Sequence, residues 1–234
     1  MPGATASRVS FELYLITDRH LLGSRDLLSV CEAVLQALAH DVTGISAALQ
    51  LREKDLEGRA LHELAAALKP ICARHRTPLI INDRIDIALA VAADGVHLPA
   101  ESVTVAEARS LIGSSRLVGI STHSAAEAAA ASAAGADFAV FGPVWPPLSK
   151  PTGGPAGGTE GLGAACRAAG AMPVFALGGV TAERAAQLDF GGATAAARGG
   201  GHPAGVGVIG AVFGADDPAA AALRLARAIR RAPA

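Results

Sequence analysis

The amino-acid sequence predicts an α/β fold, and within that class a single-domain (β/α)8 TIM barrel. Short runs of β-branched and apolar residues alternate with longer Ala/Leu-rich segments of helical period, which is typical of repeated βα units. Eight such pairs fit within the 234 residues, and eight is the number that a closed barrel requires. No linker separates the pairs, so one barrel domain is predicted over 11–234, after a flexible N-terminal segment over 1–10. An open doubly wound sheet with fewer strands is the alternative.

Each predicted strand is a short apolar run bounded by turn-forming or charged residues. In chain order the strands cover 11–17, 45–51, 78–82, 95–98, 117–121, 138–142, 173–177 and 205–209. Each predicted helix follows a strand and repeats its apolar residues with helical period. The helices cover 26–40, 61–75, 84–92, 105–112, 125–134, 161–169, 182–188 and 218–231. Ser124 and Thr181 are predicted to be N-caps of the fifth and seventh helices.

Charge and hydropathy exclude two classes of function. The 20 basic residues nearly balance the 21 acidic ones, so the net charge of -1 provides no overall attraction for nucleic acid or an anionic membrane. The longest stretch without a charged residue, 199–215, contains several glycines and a proline and is too short to span a bilayer. No basic segment followed by an apolar one opens the chain, so a cytoplasmic location is expected. The oligomeric state is left open, a homo-oligomer included.

The uneven use of polar residues points to one end of the barrel. The chain contains 17 Arg but only three Lys, three Gln and a single Asn. Despite this scarcity, Gln50, Lys54, Asn82 and Lys150 all lie at or after the carboxyl ends of predicted strands. Because active sites of (β/α)8 barrels form at that end, we interpret these residues as retained for their chemistry.

Gln50, Arg52 and Lys54 alternate at the end of the second predicted strand. Alternate residues of an extended strand point to the same face, so an amide, a guanidinium and an ammonium are predicted to face one anion. Arg and Lys together suit a phosphate or a diphosphate. The alternative interpretation is a solvated charged loop that begins where the strand ends.

Two further groups at strand ends indicate metal and phosphate binding. Asp83 follows the third predicted strand, and its carboxylate is a ligand that Mg2+ binds together with substrate phosphate oxygens. An N-cap role in the helix that follows is the alternative for this residue. Gly178, Gly179, Ile209 and Gly210 follow the seventh and eighth strands, where barrels bind phosphate through backbone amides.

Histidine and cysteine residues are candidates for catalysis because both types carry reactive side chains. For His123, after the fifth strand, an acid/base role and a structural role are both open. His97 ends the fourth strand within an apolar run, which favours a buried, hydrogen-bonded structural role. Cys31, Cys72 and Cys166 are widely spaced within helical patterns, which favours reduced, buried thiols over disulfides or a zinc site.

The strand-end segments, taken together and in order, resemble the family of thiamine-phosphate synthases and thiazole tautomerases. The segments that carry the resemblance are 14–18, 50–54 (Gln-Leu-Arg-Glu-Lys), 81–84 (Ile-Asn-Asp-Arg), 93–98, 119–124 (Gly-Ile-Ser-Thr-His-Ser), 135–138, 141–144 and 176–180. Together they extend over nearly the whole chain, from 13 to 225. The set is specific, although each piece alone is not.

This resemblance implies a transferase of thiamine biosynthesis that joins hydroxymethylpyrimidine diphosphate to thiazole phosphate and releases diphosphate. The residues implied to hold the pyrimidine diphosphate are Gln50, Arg52, Lys54, Asn82 and Lys150. Those implied to bind the thiazole phosphate are Gly178, Gly179, Ile209 and Gly210. Ser121 would lie beside the pyrimidine, and Asp83 would bind Mg2+ as the cofactor. The catalytic candidates are Lys150, Ser121 and His123.

Departures from the synthase pattern keep two alternatives open. The synthases usually carry a second Mg2+ carboxylate where this chain has Ser102, and the neighbouring Glu101 is the candidate to replace it. One alternative is a thiazole tautomerase that uses His123 as its acid/base. The other is a non-catalytic barrel that binds a phosphorylated ligand. The retention of Lys54 and Asn82, which a tautomerase does not need, favours the synthase.

Overall fold

The computed structural model describes residues 8–146, 156–191 and 201–231, which form a closed barrel of eight parallel strands. The strands are β1 Leu13–Ile16, β2 Ala47–Leu51, β3 Leu79–Asn82, β4 Gly95–Leu98, β5 Leu117–Thr122, β6 Phe138–Phe141, β7 Val174–Ala176 and β8 Gly205–Val208. Each strand pairs with the next along the chain, and β8 closes the barrel on β1, with Leu13 beside Val206. The predicted TIM barrel is confirmed, and the open doubly wound sheet is wrong.

Helices surround the barrel and return the chain to the amino end of the next strand. They are α1 Leu27–Ala39, α2 Gly58–Arg74, α3 Ile85–Ala90, α4 Val105–Ile112, α5 Ala125–Ala133, α6 Gly158–Ala169, α7 Ala182–Ala185, α8 Gly210–Phe213 and α9 Pro218–Arg231. The bounds of α4 and α9 are those predicted, whereas α2 begins earlier and α7 ends earlier than predicted. The short α8 was not predicted, because a single turn carries no periodicity. In the described ranges, none of the helices has the length and apolar character needed to cross a membrane.

Side-chain caps determine where several helices begin. The hydroxyls of Ser124 and Thr181 accept backbone N–H groups in the first turns of α5 and α7, at 3.1 Å and 3.3 Å, which confirms both predicted caps. Thr104 and Glu107 form a reciprocal capping box at the start of α4. Because each helix begins soon after a strand ends, these caps also hold the loops at the carboxyl end of the barrel.

Aromatic rings fill the barrel interior toward the amino ends of the strands. Between ring centroids, Phe11 lies 5.6 Å from Tyr14, 5.0 Å from Phe175 and 5.4 Å from Phe138. All four side chains are fully buried. Gly119 on β5 makes room for them, because a Cβ atom there would lie 2.2 Å from Cζ of Phe138. We call these four rings the aromatic floor, because the carboxyl-end layer of the barrel rests on them.

A second apolar layer packs the helices on the outside of the barrel. It combines outward-facing strand residues such as Leu15 and Leu49 with the buried faces of the helices. Cys31, Cys72 and Cys166 belong to this layer and are free, buried thiols, as predicted. Burial raises the pKa of each thiol, to about 12 for Cys72 and Cys166, so none of the three is a ready nucleophile.

The N-terminal segment predicted over 1–10 is described from residue 8 onward. Val9 is buried with the aromatic floor, with 3% of its surface exposed. Arg8 forms an ion pair with Asp137 at the start of β6. Residues 8–10 therefore belong to the barrel, and 1–7 lie outside the described residues.

The contact between Gly119 and Phe138 generates a stability prediction. In Gly119→Ala the added methyl group overpacks the ring, so we expect the free energy of unfolding to fall by about 1–3 kcal/mol. Urea denaturation followed by circular dichroism measures this change. The matched control is Gly163→Ala in α6, where a Cβ atom would approach only the flexible end of Arg167, at 3.3 Å. The control should keep or raise stability, and equal losses in both variants would contradict the prediction.

Candidate functional site

Polar side chains from four strands meet at the barrel mouth, by which we mean the carboxyl ends of the strands. The residues are Tyr14 on β1, Gln50 on β2, His97 on β4 and Ser121 on β5. His97 Nε2 lies 3.0 Å from Ser121 Oγ, and the ring centroids of His97 and Tyr14 are 5.7 Å apart. Tyr14, Gln50 and His97 are buried, and Ser121 is half-buried. We call these four side chains the polar layer, which lies above the aromatic floor. Tyr14 belongs to both, because its ring is part of the floor and its hydroxyl is part of the polar layer.

The polar layer is uncharged and has hydrogen-bonding capacity to spare. In the described part of the chain, the Tyr14 hydroxyl, Gln50 Nε2 and His97 Nδ1 are buried without a hydrogen-bond partner. Burial raises the pKa of Tyr14 well above its usual value, and the Gln50 side chain opposes part of that rise. Burial, with a smaller effect of the charge on Arg52, lowers the pKa of His97 to about 3. Because unpaired buried polar groups are costly, this layer suits a ligand or water that supplies the missing partners.

The three residues that alternate at the end of β2 differ in how deeply they are buried. Gln50 is 1% exposed inside the barrel, Arg52 is half-buried and close enough to act on His97, and Lys54 is exposed at the rim. The backbone N–H of Arg52 donates to Thr17 Oγ1 at 2.9 Å, which ties the end of β2 to β1. Gln50 lies inside the barrel and Arg52 lies near His97, and their joint binding of an anion stays a prediction. No contact joins Lys54 to them within the described residues.

Glu53, which sequence reasoning left without a role, anchors the neighbouring loop. Its buried carboxylate accepts the backbone N–H of Arg19 at 3.1 Å and the Arg19 side chain at 3.3 Å. Arg19 also forms an ion pair with Asp55. Consecutive side chains of this segment therefore point in different directions. Glu53 holds the loop that contains Arg19, and Arg52 lies near the barrel mouth.

Asn82 and Asp83 lie together at the end of β3. Asn82 is half-buried, pairing in register with His97, and Asp83 is exposed with a backbone φ of 62°. The N–H of Asp83 donates to the carbonyl of His97 at 2.9 Å, so the strained residue is fixed to β4. Its carboxylate accepts Ser102 Oγ at 2.5 Å. The alternative of an N-cap is wrong, because Arg84 occupies that position and α3 has no side-chain cap.

The residues around Asp83 permit a test of their fit to Mg2+. Asp83 contributes one carboxylate and Ser102 a hydroxyl beside it, whereas Glu101 is exposed and joined to Asp83 by no contact in the described part of the chain. The described residues also contain no group of three or more His, Cys, Asp or Glu side chains suited to a metal. Mg2+ commonly takes only one or two protein carboxylates and completes its shell with phosphate oxygens and water. This position fits such an ion when a diphosphate is present.

Gly178 and Gly179 follow β7 in conformations that favour glycine, with φ of 90° and 61°. Added Cβ atoms would lie 2.6 Å from Pro143 and 2.5 Å from the Pro146 carbonyl, so the loop after β6 packs directly on this backbone. Neither amide N–H donates a hydrogen bond within the described residues. The close packing and the unpaired donors are suited to a phosphate group.

Ile209 and Gly210 complete this side of the mouth. Ile209 is the N-cap residue of the short α8, Gly210 is its first residue, and both are half-buried. Trp145 stacks beneath Arg184, whose Cζ lies 5.7 Å from the ring, and borders Gly179. This contact holds the first part of the loop after β6.

His123 forms no hydrogen bond with the polar layer in the described ranges. It is exposed, and its Nδ1 lies 2.5 Å from the carbonyl oxygen of Gly142, which only an Nδ1–H group can satisfy. Its backbone N–H donates to Glu127 at 2.8 Å. Both contacts hold the end of β5 in place. They agree with the structural role that the sequence left open for His123. Its Nε2 has no partner in the described ranges.

The structure thus brings together several of the predicted residues and adds one. Ser121 lies within hydrogen-bond distance of His97 and Asn82 pairs with it in register, and His97 is buried and hydrogen-bonded as predicted. Tyr14 was missed, because an aromatic residue in a buried strand is indistinguishable from core by its pattern. A usable signal was its rarity, since it is the single Tyr of the chain. Lys150 lies in 147–155, outside the described residues.

Known proteins resemble this chain over nearly its whole length. Residues 13–198 match the family model described as thiamine monophosphate synthase. A protein of Geobacter sulfurreducens is 45% identical over 212 residues, which cover 91% of each chain. The thiamine-phosphate synthase of Moorella thermoacetica is 39% identical over 222 residues, 95% of this chain and 97% of that one. A solved structure, the thiamine phosphate pyrophosphorylase of Pyrococcus furiosus, matches with a TM-score of 0.73 at 28% identity, covering 94% and 95% of the two chains.

Proposed function

The chain belongs to the thiamine monophosphate synthase family, and from this membership we propose that it joins hydroxymethylpyrimidine diphosphate to thiazole phosphate, with release of diphosphate. It is a transferase whose substrates are small molecules. The observation that carries the proposal is the division of the barrel mouth into an uncharged polar layer and a rim with cations. A pyrimidine diphosphate has the same division, because its ring is neutral and its tail is strongly anionic.

We assign the pyrimidine ring to the polar layer and the diphosphate to the rim. Gln50, Asn82 and Ser121 supply hydrogen-bonding groups to the ring. The residues that we assign to the diphosphate are Arg52, Lys54 and Lys150, of which Lys150 lies outside the described residues. The thiazole phosphate is assigned to the amides of Gly178, Gly179 and Gly210 with the backbone of Ile209, which lie across the mouth from β3. The unpaired N–H groups of the glycine pair support this assignment.

The chemistry needs charge stabilisation and alignment more than it needs a protein nucleophile. The C–O bond between the pyrimidine methylene and the diphosphate breaks, and its electron pair leaves with the diphosphate. The lone pair of the thiazole nitrogen then forms the new C–N bond, so the product carries a thiazolium ring. Arg52, Lys54 and Lys150 stabilise the negative charge that develops on the leaving group. The two phosphate sites hold the nitrogen in line with the methylene.

We propose that Mg2+ assists through Asp83, which offers one carboxylate oxygen beyond the one that accepts Ser102. When bound with the diphosphate, Mg2+ neutralises part of its charge. Glu101 is assigned a peripheral role at most, because it is exposed and one residue out of step with Ser102. We further propose that the enzyme works in the cytoplasm without a nucleic-acid or membrane partner, since its charges are balanced.

The direct test mixes the purified protein with pyrimidine diphosphate, thiazole phosphate and Mg2+. We expect thiamine phosphate to accumulate with one equivalent of diphosphate, because both bonds change in the same turnover. Fluorescence after oxidation measures the first product, and a coupled phosphatase assay measures the second. The absence of both products at every Mg2+ concentration would refute the synthase.

Asp83→Asn tests the metal assignment. Replacing the carboxylate by an amide removes the charge that attracts Mg2+, so we expect the Mg2+ concentration for half-maximal rate to rise about tenfold or more. The matched control is Asp86→Asn, three positions on, where the carboxylate is exposed and forms an ion pair with Arg84. Its Mg2+ dependence should match the wild type. Identical curves for both variants would show that Asp83 holds no metal.

His123 separates the synthase from the runner-up, the thiazole tautomerase. Its Nε2, which has no partner within the described residues, is a structural feature that suits the acid/base of a tautomerase. We expect the wild type to interconvert the tautomers of thiazole carboxylate phosphate no faster than buffer does, as observed by proton NMR. If the wild type does interconvert the tautomers, a tautomerase that uses His123 as its acid/base predicts that His123→Ala abolishes the interconversion. The control is His40→Ala, because His40 makes the same kind of ring-to-carbonyl contact, with Gln36, on the distant surface of α1.

A further inference from the structure

The hydrogen bond between His97 and Ser121 has a donor and an acceptor, and the surroundings of His97 indicate which residue is the donor. His97 Nε2 and Ser121 Oγ are 3.0 Å apart, and either atom is able to donate to the other. His97 is 3% exposed and packs against the rings of Tyr14 and Phe138, with centroids 5.7 Å and 5.9 Å away. Its second nitrogen, Nδ1, has no partner in the described residues.

The surroundings of His97 select one of its forms. The imidazolium is disfavoured because His97 is buried and a proton on both nitrogens would leave the Nδ1–H donor without an acceptor in the described residues. A neutral ring with its proton on Nδ1 would bury an N–H donor without an acceptor. A neutral ring with its proton on Nε2 donates to Ser121 and leaves only a lone pair unmatched. Unpaired buried N–H groups are rarer in proteins than unpaired acceptors, so the second form is favoured.

This form determines what Ser121 offers to a ligand. A serine hydroxyl has one proton, and when its oxygen accepts from His97 the proton must point elsewhere. Ser121 is half-buried, whereas the other three residues of the polar layer are buried. We propose that His97 is a positioning residue that holds the Ser121 hydroxyl as a hydrogen-bond donor toward the mouth, for an acceptor nitrogen of a heterocyclic substrate. The identity of that heterocycle rests on the proposed function, whereas the direction of the hydrogen bond does not.

The first experiment measures the proton directly on the wild-type protein. Long-range 1H–15N correlation spectra of 15N-labelled protein report which nitrogen of each histidine carries hydrogen, and the signals absent from His97→Gln belong to His97. We expect a neutral ring protonated at Nε2 at neutral pH. A ring protonated at Nδ1, or at both nitrogens, would overturn the proposal. This measurement is independent of any activity.

The second experiment tests whether His97 acts through Ser121. We expect His97→Phe, which keeps the aromatic packing, and Ser121→Ala each to lower kcat/KM about tenfold, as loss of one hydrogen bond implies. The double variant should lose no more than about twofold beyond Ser121→Ala alone, because the two changes remove the same interaction. Independent losses that multiply to about a hundredfold would refute a positioning role.

Conservative variants supply the control for a merely structural effect. The amide nitrogen of a glutamine reaches the place of Nε2, so His97→Gln should recover most of the lost kcat/KM. The amide nitrogen of an asparagine reaches the place of Nδ1, so His97→Asn should not recover it. Equal behaviour of these two variants would overturn the proposal. If the wild type forms no thiamine phosphate, the proposed function fails alone, and the NMR measurement still decides the role of His97.

Discussion

The whole structure depends on how aromatic rings fill the barrel. The chain has a single Tyr and six Phe, and the Tyr and three of the Phe form the aromatic floor. Such rings are wide, so the positions that face them must be small, and Gly119 pairs in register with Phe138 for that reason. A slip of one residue in β5 would bring a branched side chain against the ring. Packing therefore fixes the register of β5, and this register places Ser121 at the mouth.

The same floor sets the electrostatics of the layer above it. Carbon-rich rings close the barrel to water from below, so groups that rest on them are held uncharged, as the lowered pKa of His97 and the raised pKa of Tyr14 indicate. Among the described residues of the mouth, the charged side chains of Arg52 and Asp83 lie farther out, where Arg52 is half-buried and Asp83 is exposed. The depth of a residue in the mouth thus decides its chemistry. Neutral hydrogen bonding is possible at the bottom, and charge stabilisation at the rim.

The sequence predicted the fold almost completely, and the site less completely, for physical reasons. Strand and helix positions follow from apolar periodicity, a local property, and so does the gathering of Gln50 and Asn82 at one end of the barrel. The sequence did not decide between the two roles considered for Asp83. Its left-handed backbone and its contact with Ser102 depend on tertiary packing, which a local pattern does not show. The unpaired atoms of Tyr14 and His97 were beyond reach for the same reason. A pattern indicates that a side chain is buried, but only packing shows which of its atoms has no partner.

Ion pairing explains how a chain with a net charge of -1 keeps positive charge at its mouth. The arginines at the ends of β1 and β3 are neutralised, Arg19 by Glu53 and Asp55, and Arg84 by Asp86. In the described ranges Arg52 has neither an ion pair nor a side-chain hydrogen bond, although Glu53 is its neighbour in sequence. The alternation of the strand causes this difference, because it turns Glu53 toward Arg19 and Arg52 toward His97. Glu53, Asp55 and Asp86 thus pair with arginines of the loops. Arg52, the cation nearest the polar layer, remains available to an anionic ligand.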